Sequence, residues 1–476
     1  MTRQMVKYSF VFFGGCAIFL SFGCKKLVQV PPPVGSITTS ATFSTDQEAT
    51  EAMAGIYNGM INGTVTPFNG ATTIYCGTSA DEIQFFDNLN NDEWQFQINS
   101  LLPSNSFNAL SWVQAYSTIY GCNAVLSGIA GSASIHDSVR NELVGEAELV
   151  RAVAYFYLTN LYGNIPYSGT IDYNKTRLMA QSPNDTVYSH IIADLRDAQS
   201  RLPEDYSVGH GEKIVPNRWA ATAFLARVYL YLRNWQEAEA QASSVLGNTG
   251  SYGLEPDLNN VFLANSREAI WQLQQSNQTF TYNGTVDGLY FIPYDENNPP
   301  HAYLTPTLLA SFEDSDRRRA FWVDSADYLG ITYYYPYKYR IGPGQQQVGG
   351  TDSAYYMVLR LGEQYLIRAE AEANGAGGGI GSAVTDLNMI RSRAGLGPYP
   401  GPMDKDAVLS AIYHERQVEL FAEWGHRWLD LKRWGTAVQV LSANKGTAVT
   451  PTALLFPIPV SELQADPNLT QNEGYY

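Results

Sequence analysis

Glu415, Glu419 and Glu423 stand four residues apart near the C-terminus, inside the stretch AIYHERQVELFAEWGHRWLDLKRWG at 411–435. Carboxylates on one helical face beside Trp424, Trp428 and Trp434 could do acid–base chemistry on a sugar, as a glycosidase does. The same spacing has a structural reading. Like charges four apart destabilise an exposed helix unless cations answer them. Cations are close in sequence: Arg416 lies three before Glu419, Arg427 four after Glu423, and Arg433 three after Asp430. Leu409, Tyr413, Leu420 and Trp424 share one helical face, and Trp428, Leu431 and Gly435 form a second stripe after Gly425. The stretch reads as two helices meeting near Gly425, bound by ion pairs and tryptophans. A structural keystone accounts for it better than catalysis.

Other catalytic patterns are missing. The six histidines are scattered, and no HExxH, GxSxG or CxxC occurs. Asp92 and Glu93 are adjacent, and on an extended segment they point to opposite faces. Asn88-x-Asn90-x-Asp92 lacks the glutamate and the turn glycine of a calcium loop. The GAGGGIG turn at 375–381 follows a helix and lacks a Gly-Lys-Ser ending, so it is no phosphate loop. No metal and no cofactor is expected.

The elements that must position any site follow from the chain in order. Residues 1–23 read as a targeting segment, with Arg3 and Lys7 before an apolar run ending at Ser21-Phe22-Gly23-Cys24. Cys24 would become the lipidated first residue, although Ser21 stands where an aliphatic is usual. Cys16 is the rival site, with a very short apolar run before it. Residues 24–44 form a tether containing Pro31-Pro32-Pro33. A single domain follows over 45–476. Residues 64–103 lack helical period. Helices are predicted at 106–130, 137–162, 183–201, 217–232 and 235–246. In the last two, Leu225, Ala226, Tyr229, Ala238 and Ala242 have tetratricopeptide-like spacing, with a turn at Asn234-Trp235. Residues 250–356 are rich in Asn, Gly, Pro and Tyr and read as long loops, a few strands and one helix near 305–313. Helices resume at 356–374 and 382–394.

Composition narrows the ligand class. The net charge of −16 over 476 residues argues against nucleic acid and against docking on anionic membrane surfaces. Charged residues make up 16%, where about 25% is usual, and there are 32 tyrosines. A tyrosine-rich, charge-poor surface suits neutral, hydroxyl-rich ligands or protein contacts. Cys76 and Cys122 remain in the folded body, either as a disulfide or as two buried thiols.

Four stretches together resemble the SusD/RagB family of outer-membrane nutrient-binding lipoproteins. They are the lipoprotein signal with its proline-containing tether, LRLGEQYLIRAEAEANG at 359–375 followed by AVTDLNMIRSRAGL at 383–396, HERQVELFAEWGHRWLDLKRWG at 414–435, and PIPVSELQADPNLTQNEGY at 457–475. The resemblance covers essentially the whole chain after Cys24. It implies a mainly α fold, a tetratricopeptide-like superhelix of about four helix pairs with an irregular loop and small-strand layer on one side. It implies a non-enzymatic, lipid-anchored protein at the outer membrane, facing the cell exterior. Such proteins cap a SusC-like TonB-dependent transporter and deliver oligosaccharides or polysaccharides to it. Capture of peptides or another nutrient, or a mainly protein–protein scaffold on the barrel, are the alternatives. Lys25-Lys26 follow Cys24 in place of the acidic cluster associated with surface export, so the leaflet facing the body stays open.

Ligand contact is expected on the two loop-rich stretches, 64–103 and 250–356, because sugars need flat aromatic faces and planar polar groups. The candidates are Asp81, Phe85, Asn91 and Trp94 in the first, and Tyr282 and Tyr290 in the second. Trp94 leads, since its acidic and amide neighbours favour exposure. The alternation over 333–339 reads instead as a half-buried strand, and Trp322 as structural.

Overall fold

Asn105, Asn217, Asn234 and Asp404 each accept a hydrogen bond from the first turn of the helix that follows. Each satisfies an amide that a helix start leaves without a partner. The computed structural model describes residues 43–61, 65–276, 282–351 and 353–475. Cys24, the targeting segment and most of the tether lie outside the described residues. Among the described residues, eight helices stack in chain order, each packed on the next: Ser106–Gly131, Asp137–Tyr162, Asn184–Arg201, Arg218–Tyr231, Trp235–Gly247, Leu361–Ala373, Gly379–Arg393 and Lys405–Glu419. They form four successive pairs, the tetratricopeptide-like superhelix expected. Ala223, Ala226, Ala238 and Ala242 are fully buried, and their small side chains let neighbouring helices approach closely. None of the described helices is long and apolar enough to cross a membrane.

The loop layer is more ordered than its sequence suggests. Its strands are β1 (Ile83–Phe85), β2 (Ala269–Leu273), β3 (Ala302–Leu304), β4 (Val323–Tyr328), β5 (Ile331–Pro336) and β6 (Tyr356–Arg360). They pair antiparallel as β1–β3, β2–β6 and β4–β5. Residues 64–103 hold two helices, Ala71–Ser79 and Asn91–Gln97, contrary to the sequence reading. Every residue of Ala71–Ser79 is buried, so no amphipathic period marks it. Similarly, the stretch predicted helical from 356 begins as β6, and its helix starts at Leu361. All five residues of β6 are buried, a pattern that periodicity cannot tell from a buried helix.

Cys76 and Cys122 are both free and buried, which excludes the disulfide. Burial pushes both thiols up to about 12. Reducing agent should therefore leave the melting temperature unchanged; a downward shift would reveal a disulfide.

The 411–435 stretch does form two helices, Lys405–Glu419 and His426–Trp434. They are joined by a turn in which Ala422, Trp424 and Gly425 all take left-handed backbone angles. Leu420 and Trp424 thus leave the helical face assigned to them. A Cβ on Gly425 would stand 2.6 Å from that of Cys76, so glycine is required there. Trp424 donates its indole N–H to the Met357 carbonyl at 2.6 Å, and Trp428 is fully buried.

The ion pairing differs from the sequence expectation. Only Arg433–Asp430 forms as predicted, at 2.7 Å. Arg416 binds Asp430 at 2.8 Å, and Arg427 binds Asp81 at 2.7 Å. The three glutamates are answered by cations from distant segments. Glu415 takes Arg318 at 2.6 Å, and Glu419 takes Arg318, Arg360 and Arg393. Glu423 takes Arg360 at 2.7 Å and Lys338 at 2.5 Å. The end of the helix and the turn after it point these carboxylates inward, where Arg318, Lys338 and Arg360 come from the loop layer and Arg393 from the Gly379–Arg393 helix. The keystone therefore ties the superhelix to the layer that lies on it.

Candidate functional site

Strands alternate their side chains between two faces. In β1 and β3, Ile83, Phe85, Ala302 and Leu304 point inward and are buried. Gln84 pairs with Tyr303 across the ladder, and both are half-buried. The ladder extends past both ends. Phe86 donates its N–H to the His301 carbonyl at 3.0 Å, and Thr305 donates its own to the Glu82 carbonyl at 2.9 Å. Gln84, Phe86, Tyr303 and Thr305 therefore lie on one outer face.

This face carries two kinds of surface. At one end Tyr333, from β5, meets Tyr303 edge-on at 4.9 Å between ring centroids and Phe86 at 5.4 Å. Tyr328, from β4, meets Phe86 at 5.7 Å. All four rings are half-buried, so each keeps part of its surface toward solvent. At the other end Gln84 and Thr305 border a cleft of about 420 Å³. Trp94, Gln97, Asn444 and Lys445 line it as well, and Gln97 accepts from the Phe85 N–H of β1 at 2.6 Å. Trp94 rides on the Asn91–Gln97 helix, whose start is capped by the Asn90 side chain accepting from the Asp92 N–H. That cap accounts for the Asn88-x-Asn90-x-Asp92 pattern. It also corrects the extended reading of Asp92 and Glu93: on the helix Asp92 accepts from Ser106, while Glu93 turns inward.

Two of the expected site residues, Trp94 and Asp81, line this cleft. Trp94 is half-buried. Asp81 is 2% exposed; its oxygens accept from Arg427 at 2.7 and 2.9 Å and from Asn444 at 2.6 Å. Burial pushes its carboxyl up, but the Arg427 guanidinium and the Asn444 amide outweigh that and hold it below the ordinary value. Asp81 thus orients Asn444 at the cleft and anchors the keystone. Phe85 faces inward, its ring centroid 5.9 Å from that of His301 in an edge-on contact. Asn91 is exposed in the first turn of its helix. Tyr290 packs edge-on against His301 at 4.6 Å and donates its hydroxyl to Glu93 at 2.5 Å. Burial drives that hydroxyl far above its ordinary range. Tyr282, half-buried with φ of 46°, adjoins residues outside the described set and does not line this cleft.

Phe86 falls in the first stretch expected to meet ligand but behind Phe85, Gln84 and Tyr303 are not singled out by the sequence, and Tyr333 belongs to the stretch read as a half-buried strand. Ile83-Gln84-Phe85-Phe86 contains the signal: alternation with Ile83 and Phe85 inward places Gln84 and Phe86 outward. One grouping among the described residues, Glu313, His414 and Glu415, has metal-like spacing. Arg391 already fills it, 2.5 Å from Glu313 and 3.6 Å from Glu415.

Comparison with known proteins bears on both fold and site. Residues 330–475 match the family model described as the SusD family, and residues 37–230 match one described as starch-binding, associating with outer membrane. SusD-like protein P2 of Formosa agariphila is 27% identical over 522 residues, covering 99% of this chain and 100% of that protein. A SusD superfamily protein from Bacteroides vulgatus superposes with a TM-score of 0.77 at 23% identity, over 91% of this chain and 100% of that one. A laminarin-binding SusD-like protein superposes with a TM-score of 0.75 at 22% identity, over 91% and 100%. At these identities the structural likeness establishes the fold.

Proposed function

The chain belongs to the SusD family, and from that premise we propose that it binds a neutral oligosaccharide or polysaccharide at the outer membrane. It then passes the glycan, chemically unaltered, to a SusC-like TonB-dependent transporter. Lipidation at Cys24 would hold it there, with its body toward the cell exterior. The observation that supports glycan binding is the outer face of the β1–β3 ladder. Aromatic rings at one end offer flat surfaces to sugar C–H groups. Amides and hydroxyls at the other end offer partners to sugar hydroxyls. The starch-binding family description and the laminarin-binding neighbour fit the same class.

The non-catalytic part of the proposal rests on the keystone carboxylates. Glu415, Glu419 and Glu423 are buried among guanidinium and ammonium groups. Burial opposes the charged form of Glu419, yet Arg393, Arg360 and Arg318 more than offset it and hold its carboxyl well below the ordinary value. Glu419 therefore has no proton to donate near neutral pH, and Glu415, which burial pushes up, is enclosed against the Arg318 guanidinium.

Affinity electrophoresis in gels containing laminarin or soluble starch tests the proposal. The wild-type chain should be retarded by at least one polymer in a wider neutral-glycan panel. Trp94→Ala should migrate as it does without glycan. Failure of every polymer to retard the wild type would refute glycan binding.

A further inference from the structure

A second cleft, of about 250 Å³, lies beyond the turn that ends the Asn91–Gln97 helix. It is lined by Asn99, Ser100 and Leu102 from that turn, by Thr450 and Thr452, and by Tyr475 near the C-terminus. The two clefts share a wall. Gln97 and Ile98 line the Trp94 cleft, and the next residues, Asn99 and Ser100, line this one. Consecutive Cα atoms are only about 3.8 Å apart, so the chain passes from one cleft to the other within a residue.

Lys445 holds the divide in place. Its ammonium lies 2.8 Å from the Gln97 carbonyl and 2.7 Å from Asn99 Oδ1. It also lies 2.8 Å from the carbonyls of Thr78 and Ser79, at the end of the Ala71–Ser79 helix. The lysine thus sits where two helix C-termini converge, the position a cation favours.

The lining of the second cleft suits a sugar. The Tyr475 ring is half-buried, and its hydroxyl donates to the Leu455 carbonyl at 2.8 Å, which restrains the ring. Gly474 has φ of 93°, and a Cβ there would come within 2.8 Å of Thr452. Glycine therefore lets the tail lie against that wall and present Tyr475. The hydroxyls of Thr450 and Thr452 stand 2.9 Å apart. Among the described residues, no charged side chain lines the cleft. Leu102, which lines the cleft, is 50% exposed and gives an apolar contact for sugar C–H faces.

We infer that the Tyr475 cleft is a second glycan subsite, taking a further stretch of the same neutral chain whose other part lies against Trp94. The inference rests on the glycan-binding reading. One ligand spanning both clefts gains affinity because the second contact is intramolecular. A chain too short to cross the divide gains nothing from Tyr475.

The test is calorimetric titration of the purified full chain in detergent with laminari- and malto-oligosaccharides of increasing length. Wild-type affinity should rise with length for the series that binds. Tyr475→Ala should bind the shortest binding oligosaccharide as the wild type does and the longest roughly tenfold more weakly, the size of one lost aromatic contact. Tyr475→Phe should keep the length dependence. Ser100→Phe, which fills the cleft from an exposed position, should reproduce the Tyr475→Ala result and guards against a folding defect at the tail. Wild-type affinity that does not change with length overturns the second subsite alone. So does a Tyr475→Ala loss that is equal on short and long chains, or no loss at all. A wild type that binds no glycan overturns this inference together with the function it rests on.

Discussion

Arg360→Ala should lower the unfolding free energy by about 3–5 kcal/mol, the usual result of removing one partner from a buried ion pair. Arg360 is 2% exposed and stands between two keystone glutamates. It donates to Glu419 Oε1 at 2.5 Å, to the Glu419 carbonyl at 2.8 Å, and to both oxygens of Glu423 at 2.7 and 2.8 Å. Alanine leaves Glu423 with Lys338 alone and puts a cavity beside Trp322, whose ring lies 5.8 Å from the guanidinium. Urea denaturation of wild type and variant measures the difference; a change under about 1 kcal/mol, the range of an exposed pair, would contradict the assignment. Arg360→Ala combined with Glu423→Gln should recover part of the loss, because the stranded charge is removed with its partner.

Two carboxylates of the same network respond to acid, while burial pushes two others, Glu415 and Glu268, up. Burial pushes Glu419 and Glu423 up, but the cations around them prevail, and both titrate below the ordinary value of 4.5. A carboxylate depressed on folding contributes stability that is complete above its unfolded value and is lost as pH falls through its folded value. Melting temperature should therefore fall as pH drops below 4.5. A melting temperature that does not change there would show that the pairs contribute nothing.

The second large effect separates two adjacent phenylalanines. Phe86→Ala should leave the protein folded and weaken glycan binding roughly tenfold or more, since it removes the ring that Tyr328 and Tyr333 pack against. Phe85→Ala should instead cost about 3–5 kcal/mol of stability, because that ring is 4% exposed and its loss opens a core cavity. Thermal melting and glycan titration of both variants decide the matter. The reverse outcome, an unstable Phe86→Ala and a stable Phe85→Ala, would place the opposite face of the ladder outward.

The helical pairs were legible because long helical stretches, and the large-and-small tetratricopeptide-like spacing of two of them, are local features. The helix Asp137–Tyr162 appears with the predicted bounds, and Arg218–Tyr231 and Trp235–Gly247 within a residue. The helix Ala71–Ser79 was not legible, because a segment buried on all sides has no polar stripe. The partial exposure of Trp94 at the cleft was legible from its polar neighbours. The choice of Phe85 over Phe86 followed from reading residues 64–103 as irregular. Once β1 is recognised as a strand, its alternation selects Phe86.

By itself the sequence determined the family, the order of helices, the loop-rich stretches that form the candidate site, and the density of charge at 411–435. These depend on composition, local period and motif, which a chain carries before it folds. Only the tertiary structure decided which cations meet Glu415, Glu419 and Glu423. It also brought β1 beside β3 from more than 200 positions away, and Tyr475 to the same cleft as Asn99. Pairing of that kind depends on which segments share a buried surface. Arg318, Arg360 and Arg393 are 97, 59 and 26 residues from the glutamates they bind, far beyond the i, i+4 reach of a helix.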